Sequence, residues 1–171
     1  MTTHDMLDTG RDLDALREYV AAKMDLYGND DLAVKVRNIT FQHDAKHDKK
    51  NRSNPRFFCY VEEYREGEPW IIRCAGNLEL AAPPLRIGVL LHEIGHLVLN
   101  AFREGQESEV DVDTWVLDSF PESGYTYRDG AYYPEGAPRT LVTAKDVQHV
   151  SPEFVLRIYD ELKRRGRPGP R

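Results

Sequence analysis

The chain has 171 residues, a length suited to one domain, and its 40% hydrophobic content with 2 Trp, 9 Tyr and 6 Phe excludes wholesale disorder. Its 29 acidic residues against 23 basic leave a net charge of −6, which disfavours general binding to nucleic acid or to an anionic membrane. No run approaches ~18 consecutive apolar residues, so no membrane-spanning helix is expected. Residues 1–11 lack the apolar core of a signal peptide, and two cysteines make neither a disulfide framework nor a four-cysteine zinc site. The expectation is a cytoplasmic protein with reduced thiols.

Residues 1–10 read as a loose tail. Leu13, Leu16, Val20 and Met24 recur at helical spacing, which predicts a helix over 12–27, stopped by Gly28 and Asn29. Leu32, Val34 and Val36 alternate and lead into Ile39 and Phe41, so this stretch reads as a strand with a bulge near Asn38. Residues 42–56 read as a polar, Lys-rich loop. His43 and His47 stand four apart within it but lack an apolar helix, and read as solvated.

Two runs rich in aromatic and branched residues, 57–64 and 69–75, flank a turn at 65–68 and predict a hairpin. A two-residue turn at Glu66 and Gly67 pairs Val61 with Ile72 and sets Cys59 opposite Cys74, with Trp70 on the same buried face. Both thiols then read as packed and reduced. Residues 77–80 read as a further short strand, a candidate edge for pairing with an extended peptide.

Pro83 and Pro84 open a helix over 85–102, and a second helix runs over 107–120 until Pro121 closes it. Residues 123–138, rich in Tyr, Gly and Pro, read as a loop or small hairpin. Ser151 as N-cap and Pro152 at the first helical position start a last helix, which runs to residue 165. The remaining 166–171 read as a disordered basic tail, so the domain spans 11–165.

The chemistry concentrates at His92-Glu93-Ile94-Gly95-His96, an HExxH pattern. Four residues of helix turn through about 400° and rise about 6 Å, so the two imidazoles share a face and can grip one zinc ion. Glu93 is offset by one residue and is suited to act as general base toward a zinc-activated water. The flanking Leu85, Val89, Leu90, Leu91, Ile94, Leu97 and Val98 suit a buried helix, in which Gly95 makes sense if another backbone passes close by.

A third ligand six residues after His96 is excluded, because Phe102 stands there. In the next helix Val116, Leu117 and Phe120 mark the inward stripe. Glu109 and Asp113 continue that stripe at four-residue steps, while Asp111 points away. Glu109 is therefore assigned as third ligand and Asp113 as a group orienting a ligand histidine, with exchange of the two roles left open. Tyr125 and His149 are the candidates for a donor to the developing oxyanion.

With those residues in view, His92-Glu93-x-x-His96 followed by Glu109-x-x-x-Asp113-x-Trp115 resembles the gluzincin peptidases, most closely the ImmA/IrrE family; Val112 stands where that family usually has Ala. The segment Val150-Ser151-Pro152-Glu153-x-Val155 is similar to the start of its C-terminal helix. The expected fold is α+β and zincin-like: a small, mostly antiparallel sheet, an active-site helix and a third-ligand helix. The expected function is zinc-dependent peptide-bond hydrolysis, and the resemblance implies a protein substrate such as a transcriptional repressor. The alternatives are a non-catalytic zincin-like binding module and a zinc hydrolase with a non-peptide substrate.

Overall fold

A computed structural model describes residues 9–43, 59–61, 67–74, 78, 81–103, 108–131 and 143–166. The described chain is mixed helix and strand, and mostly helical. Helix α1 spans Thr9–Leu26 and α2 spans Asp30–Arg37. Strands β1 (Thr40–His43), β2 (Cys59–Val61) and β3 (Ile71–Cys74) follow, then α3 (Pro83–Arg103) and α4 (Glu109–Ser119). A 3-10 turn at Pro121–Ser123 leads to β4 (Thr126–Ala131), β5 (Thr143–His149) and α5 (Pro152–Gly166).

The sheet departs from expectation. Its order is β1-β3-β2, with β1 parallel to β3 over four residue pairs and β2 antiparallel to β3 over three. The mostly antiparallel sheet read from the sequence is therefore corrected to a mixed one, in which the longer ladder is parallel. The hairpin register matches the reading, with Val61 opposite Ile72 and Cys59 opposite Cys74. Trp70, Ile72 and Cys74 are buried on that face.

The state of the thiols is a second correction. Cys74 is disulfide-bonded, and Cys59, its cross-strand neighbour, is the only other cysteine of the chain. Two cysteines directly opposite on adjacent strands have their Cα atoms within the span a disulfide bridges. The expectation of reduced thiols is therefore the part corrected. No described helix is long and apolar enough to cross a membrane.

The stretch read as a strand through Leu32, Val34 and Val36 is helix α2. Ala33 and Val36, three residues apart, are its buried pair, while Val34 faces solvent. Asp30 and Asp31 lie in its first turn, Lys35 and Arg37 in its last, an arrangement that complements the helix dipole. Asn38, read as a bulge, is its C-cap. The chain turns between α1 and α2 at Gly28, whose φ of 78° favours glycine.

Of the predicted strand over 77–80, only Leu78 is described, and it is buried in a 3-10 turn. Of the predicted loop over 42–56, Gln42 and His43 end β1 with His43 exposed, and the rest, including His47, lies outside the described residues. The N-terminal tail reading lies outside them except for Thr9 and Gly10, which begin α1. The C-terminal one does too, except for Gly166, which ends α5. The small-hairpin reading after residue 123 holds for β4, but its partner β5 lies beyond the stretch considered.

Helix α3 is the centre of the core. Its buried side chains face every direction: Leu85, Ile87, Val89, Leu90, Leu91, Ile94, Leu97 and Val98. It also buries Arg86, whose Nε donates to the carboxylate of Asp12 on α1 and whose Nη1 donates to the Ala81 carbonyl at 3.0 Å. Both partners of this ion pair are fully buried. A charge so placed is tolerated only while its partner is present. Arg86→Met strands the Asp12 carboxylate, and denaturant unfolding should record a loss of about 3–5 kcal/mol. A loss under 1 kcal/mol would show that the pair does not anchor α1 to α3.

Candidate metal centre

His92 and His96 lie on one face of α3, as their spacing requires. Helix α4 brings Glu109 to them from its first turn. The three residues offer ligand atoms that all lie within 4.8 Å of one another. His92 Nε2 stands 2.6 Å from Glu109 Oε2 and 3.1 Å from His96 Nε2, and His96 Nε2 stands 3.1 Å from Glu109 Oε1. Ligands on a tetrahedral zinc ion stand about 3.3–3.5 Å apart, given bonds of about 2.0–2.2 Å. The two 3.1 Å separations come within a few tenths of an ångström of that spacing, while the His92–Glu109 contact is shorter, a hydrogen-bond distance; two imidazoles and a carboxylate are a donor set that divalent transition metals take.

The approach of α4 to α3 depends on Gly95. A Cβ there would meet Val112 Cγ1 at 2.8 Å and the Trp115 ring at 3.1 Å. The sequence suggested a passing backbone at this glycine; the close neighbours are side chains of α4 instead. A passing backbone is found one turn before His92, at Gly88, where a Cβ would meet His149 Cα at 2.4 Å and the Gln148 carbonyl at 2.7 Å. The end of β5 thus lies directly on the motif helix, a feature the sequence reading missed.

The inward stripe of α4 also needs correcting. Its buried residues are Val112, Asp113, Val116 and Phe120, whereas Leu117 is 48% exposed. Because α4 packs along the narrow seam at Gly95, the stripe sits about one residue from the phase assumed. Glu109 is consequently at its edge, with a 72% exposed side chain that reaches sideways to both histidines. Asp111 stands off the cluster and closes a capping box: its carboxylate accepts from Ser108 N, and Ser108 Oγ accepts from Asp111 N, each at 3.2 Å.

Asp113 is buried beneath His92, with Oδ1 3.0 Å from Nδ1. Tyr125 is buried as well and donates its hydroxyl to the same Oδ1 at 2.6 Å. The ring of His92 thus has Glu109 and His96 at Nε2 and has Asp113 and Tyr125 at Nδ1. This places Tyr125 across the imidazole from the converging ligand atoms, away from where an oxyanion donor would stand. Tyr125 is therefore not on the ligand side of His92. The His149 side chain engages Thr126 Oγ1 at 2.9 Å.

Charge in the cluster is strongly coupled. Burial works against a protonated His92, but the hydrogen bonds with Asp113 and Glu109 outweigh it and raise its pKa to about 9. The same contest raises His96, with Glu109 as the favourable partner. Hydrogen bonds from His92 and His96 hold the Glu109 carboxyl well below the usual carboxylate range. Burial pushes Glu93 the other way, up to about 7, against the pull of both histidines. Burial and the neighbouring Asp113 carboxylate drive Tyr125 far above the usual phenol range, so it remains a hydrogen-bond donor. The site therefore contains an ionised carboxylate among imidazoles, and beside it a second carboxyl poised near neutrality.

Comparison with protein-family models, with curated proteins and with solved structures gives no match for this chain.

The Gly95 seam makes a direct prediction. Alanine in a helix interior is favoured over glycine by about 1 kcal/mol, but here its methyl meets the stiff Val112. Gly95→Ala should destabilise the protein, and in a Val112→Ala background the same change should become neutral or stabilising. A double-mutant cycle by thermal or urea unfolding reads the coupling. Equal effects of Gly95→Ala in both backgrounds would show that Val112 is not the obstacle.

Proposed function

We propose that this chain is a zinc-dependent metallopeptidase of zincin-like, gluzincin type, resembling the ImmA/IrrE family and acting on peptide bonds of a protein substrate. One observation carries the reading: ligand atoms of His92, His96 and Glu109 lie within 4.8 Å of one another, beside a buried Glu93 whose pKa burial pushes up. A structural zinc site has no use for that second carboxyl, whereas hydrolysis needs a base.

His92, His96 and Glu109 would hold the ion. Zinc, when bound, supplies Lewis acidity that makes water a nucleophile near neutral pH and polarises a carbonyl. Glu93 accepts the proton of the attacking water and passes it to the departing amine. Asp113 holds His92 in the orientation that presents Nε2.

Purified, reconstituted protein should contain about one zinc per chain by elemental analysis. His92→Ala and Glu109→Ala should lower zinc affinity. Glu93→Gln should keep the metal and lose about 10²–10⁴-fold in cleavage rate, measured on peptides released from a proteome-derived library. Zinc-free protein after reconstitution would overturn the metal site. Full cleavage by Glu93→Gln would overturn the base. Metal binding without cleavage of any peptide would favour the non-catalytic module.

A further inference from the structure

The strongest structural signal beyond the ligands and the base lies on the Nδ1 side of His92. Asp113 Oδ1 is 3.0 Å from Nδ1, the Tyr125 hydroxyl is 2.6 Å from that same carboxylate oxygen, and the hydroxyl oxygen is itself 3.3 Å from Nδ1. All three groups are buried.

Hydrogen counting decides how these atoms are wired. A carboxylate can only accept, so at 3.0 Å the proton between it and the imidazole is carried by Nδ1. Tyr125 has one hydroxyl proton, and the 2.6 Å contact with Asp113 uses it. Toward His92 the hydroxyl oxygen can then only accept. Both neighbours demand a hydrogen on Nδ1, so the proton shared between Nε2 and Glu109 at 2.6 Å is the one a metal at the point shared with His96 and Glu109 would replace. A single imidazole donor leaves most of a buried carboxylate's accepting capacity unmet, and Tyr125 supplies a second donor that also fixes the carboxylate's rotamer.

The chain is built to deliver that hydroxyl. After α4, the Pro121–Ser123 turn reverses the direction of the chain, and Gly124 continues the reversal with φ of 62°. Ser123 Oγ donates to the Phe120 carbonyl at 2.7 Å and accepts from Tyr125 N at 3.1 Å, which sets the start of the return. Ser151 N donates to the Ser123 carbonyl at 2.9 Å, and a Cβ on Gly124 would meet Ser151 Cβ at 2.8 Å. Ser151 Oγ also caps α5 by accepting from Phe154 N at 3.2 Å. The turn that aims Tyr125 back at Asp113, twelve residues earlier, is thus held against the start of the last helix.

We infer that Tyr125 is a positioning residue for the metal: it acts through Asp113 to hold His92 as the Nδ1–H tautomer, with Nε2 free to ligate. This rests on the zinc reading above and adds a residue that reading does not require.

Zinc affinity tests it, measured by competition with a chelating dye on the full chain, with thermal unfolding of the metal-free protein as the control for folding. Tyr125→Phe removes one oxygen and keeps the ring. It should weaken zinc about 10-fold, the scale of losses behind a ligand histidine, and shift the visible absorption of the cobalt-substituted protein. In an Asp113→Ala background the same change should have no further effect, because Tyr125 works through that carboxylate. Equal losses in the two backgrounds, or unchanged affinity in Tyr125→Phe, would overturn the inference while leaving the zinc site standing. Failure of the unsubstituted chain to bind zinc would overturn both. Nitrogen-15 spectra of the zinc-loaded, unsubstituted protein give an independent reading should the Phe variant not fold. His92 should bear its proton on Nδ1, and ligation through Nδ1 would refute the assignment.

Discussion

Helix α3 has almost no solvent face, and that constraint organises the molecule. A helix buried on all sides must find a partner for each polar group it carries. Arg86 finds Asp12, and His92 finds Asp113 and Tyr125 on one ring nitrogen and Glu109 on the other. The neighbours also have to come close, and glycine is what lets them: Gly88 admits the backbone of β5 and Gly95 admits the side chains of α4. The same burial that makes these polar groups expensive makes them responsive, since a low-dielectric site amplifies each charge on its neighbours.

The electrostatics of the cluster follow from two carboxylates in unlike surroundings. Glu109 is largely exposed yet strongly acidic, because two imidazoles hydrogen-bond to it. Glu93 is buried, and its carboxyl sits near neutrality although the same imidazoles favour its ionised form. Surroundings, rather than residue type, push the two glutamates in opposite directions. Asp111 completes the comparison: it is on the same helix as Glu109 but faces the first turn, where it caps backbone groups.

What was legible in the sequence was local or strictly periodic. The His92/His96 spacing, the register of Cys59 with Cys74 and the Ser151 cap all depend on offsets of a few residues, which the backbone period dictates. Helix α2 was misread because three alternating apolar residues in an eight-residue segment satisfy both periods, and only tertiary packing selected Ala33 and Val36. Leu117 misled the phase of α4, because an apolar residue on a short, half-exposed helix need not face the core. Glu109 was nevertheless reached, since its long side chain spans the difference. The Asp12–Arg86 pair, the β5 contact at Gly88 and the return of Tyr125 to Asp113 join segments far apart in the chain or across a turn, and no local pattern marks such partners.

The bond at Cys74 bears on how the protein is made. It ties together two strands of the sheet, and its partner is set by the ladder itself. A chain synthesised where glutathione and thioredoxin keep thiols reduced would carry two extra hydrogens and lack this one covalent tie between strands. Material from a reducing and from an oxidising compartment would therefore be two chemical species of one sequence. They would be separable by intact mass and by the mobility of the reduced chain, and a preparation that mixes them is not one sample.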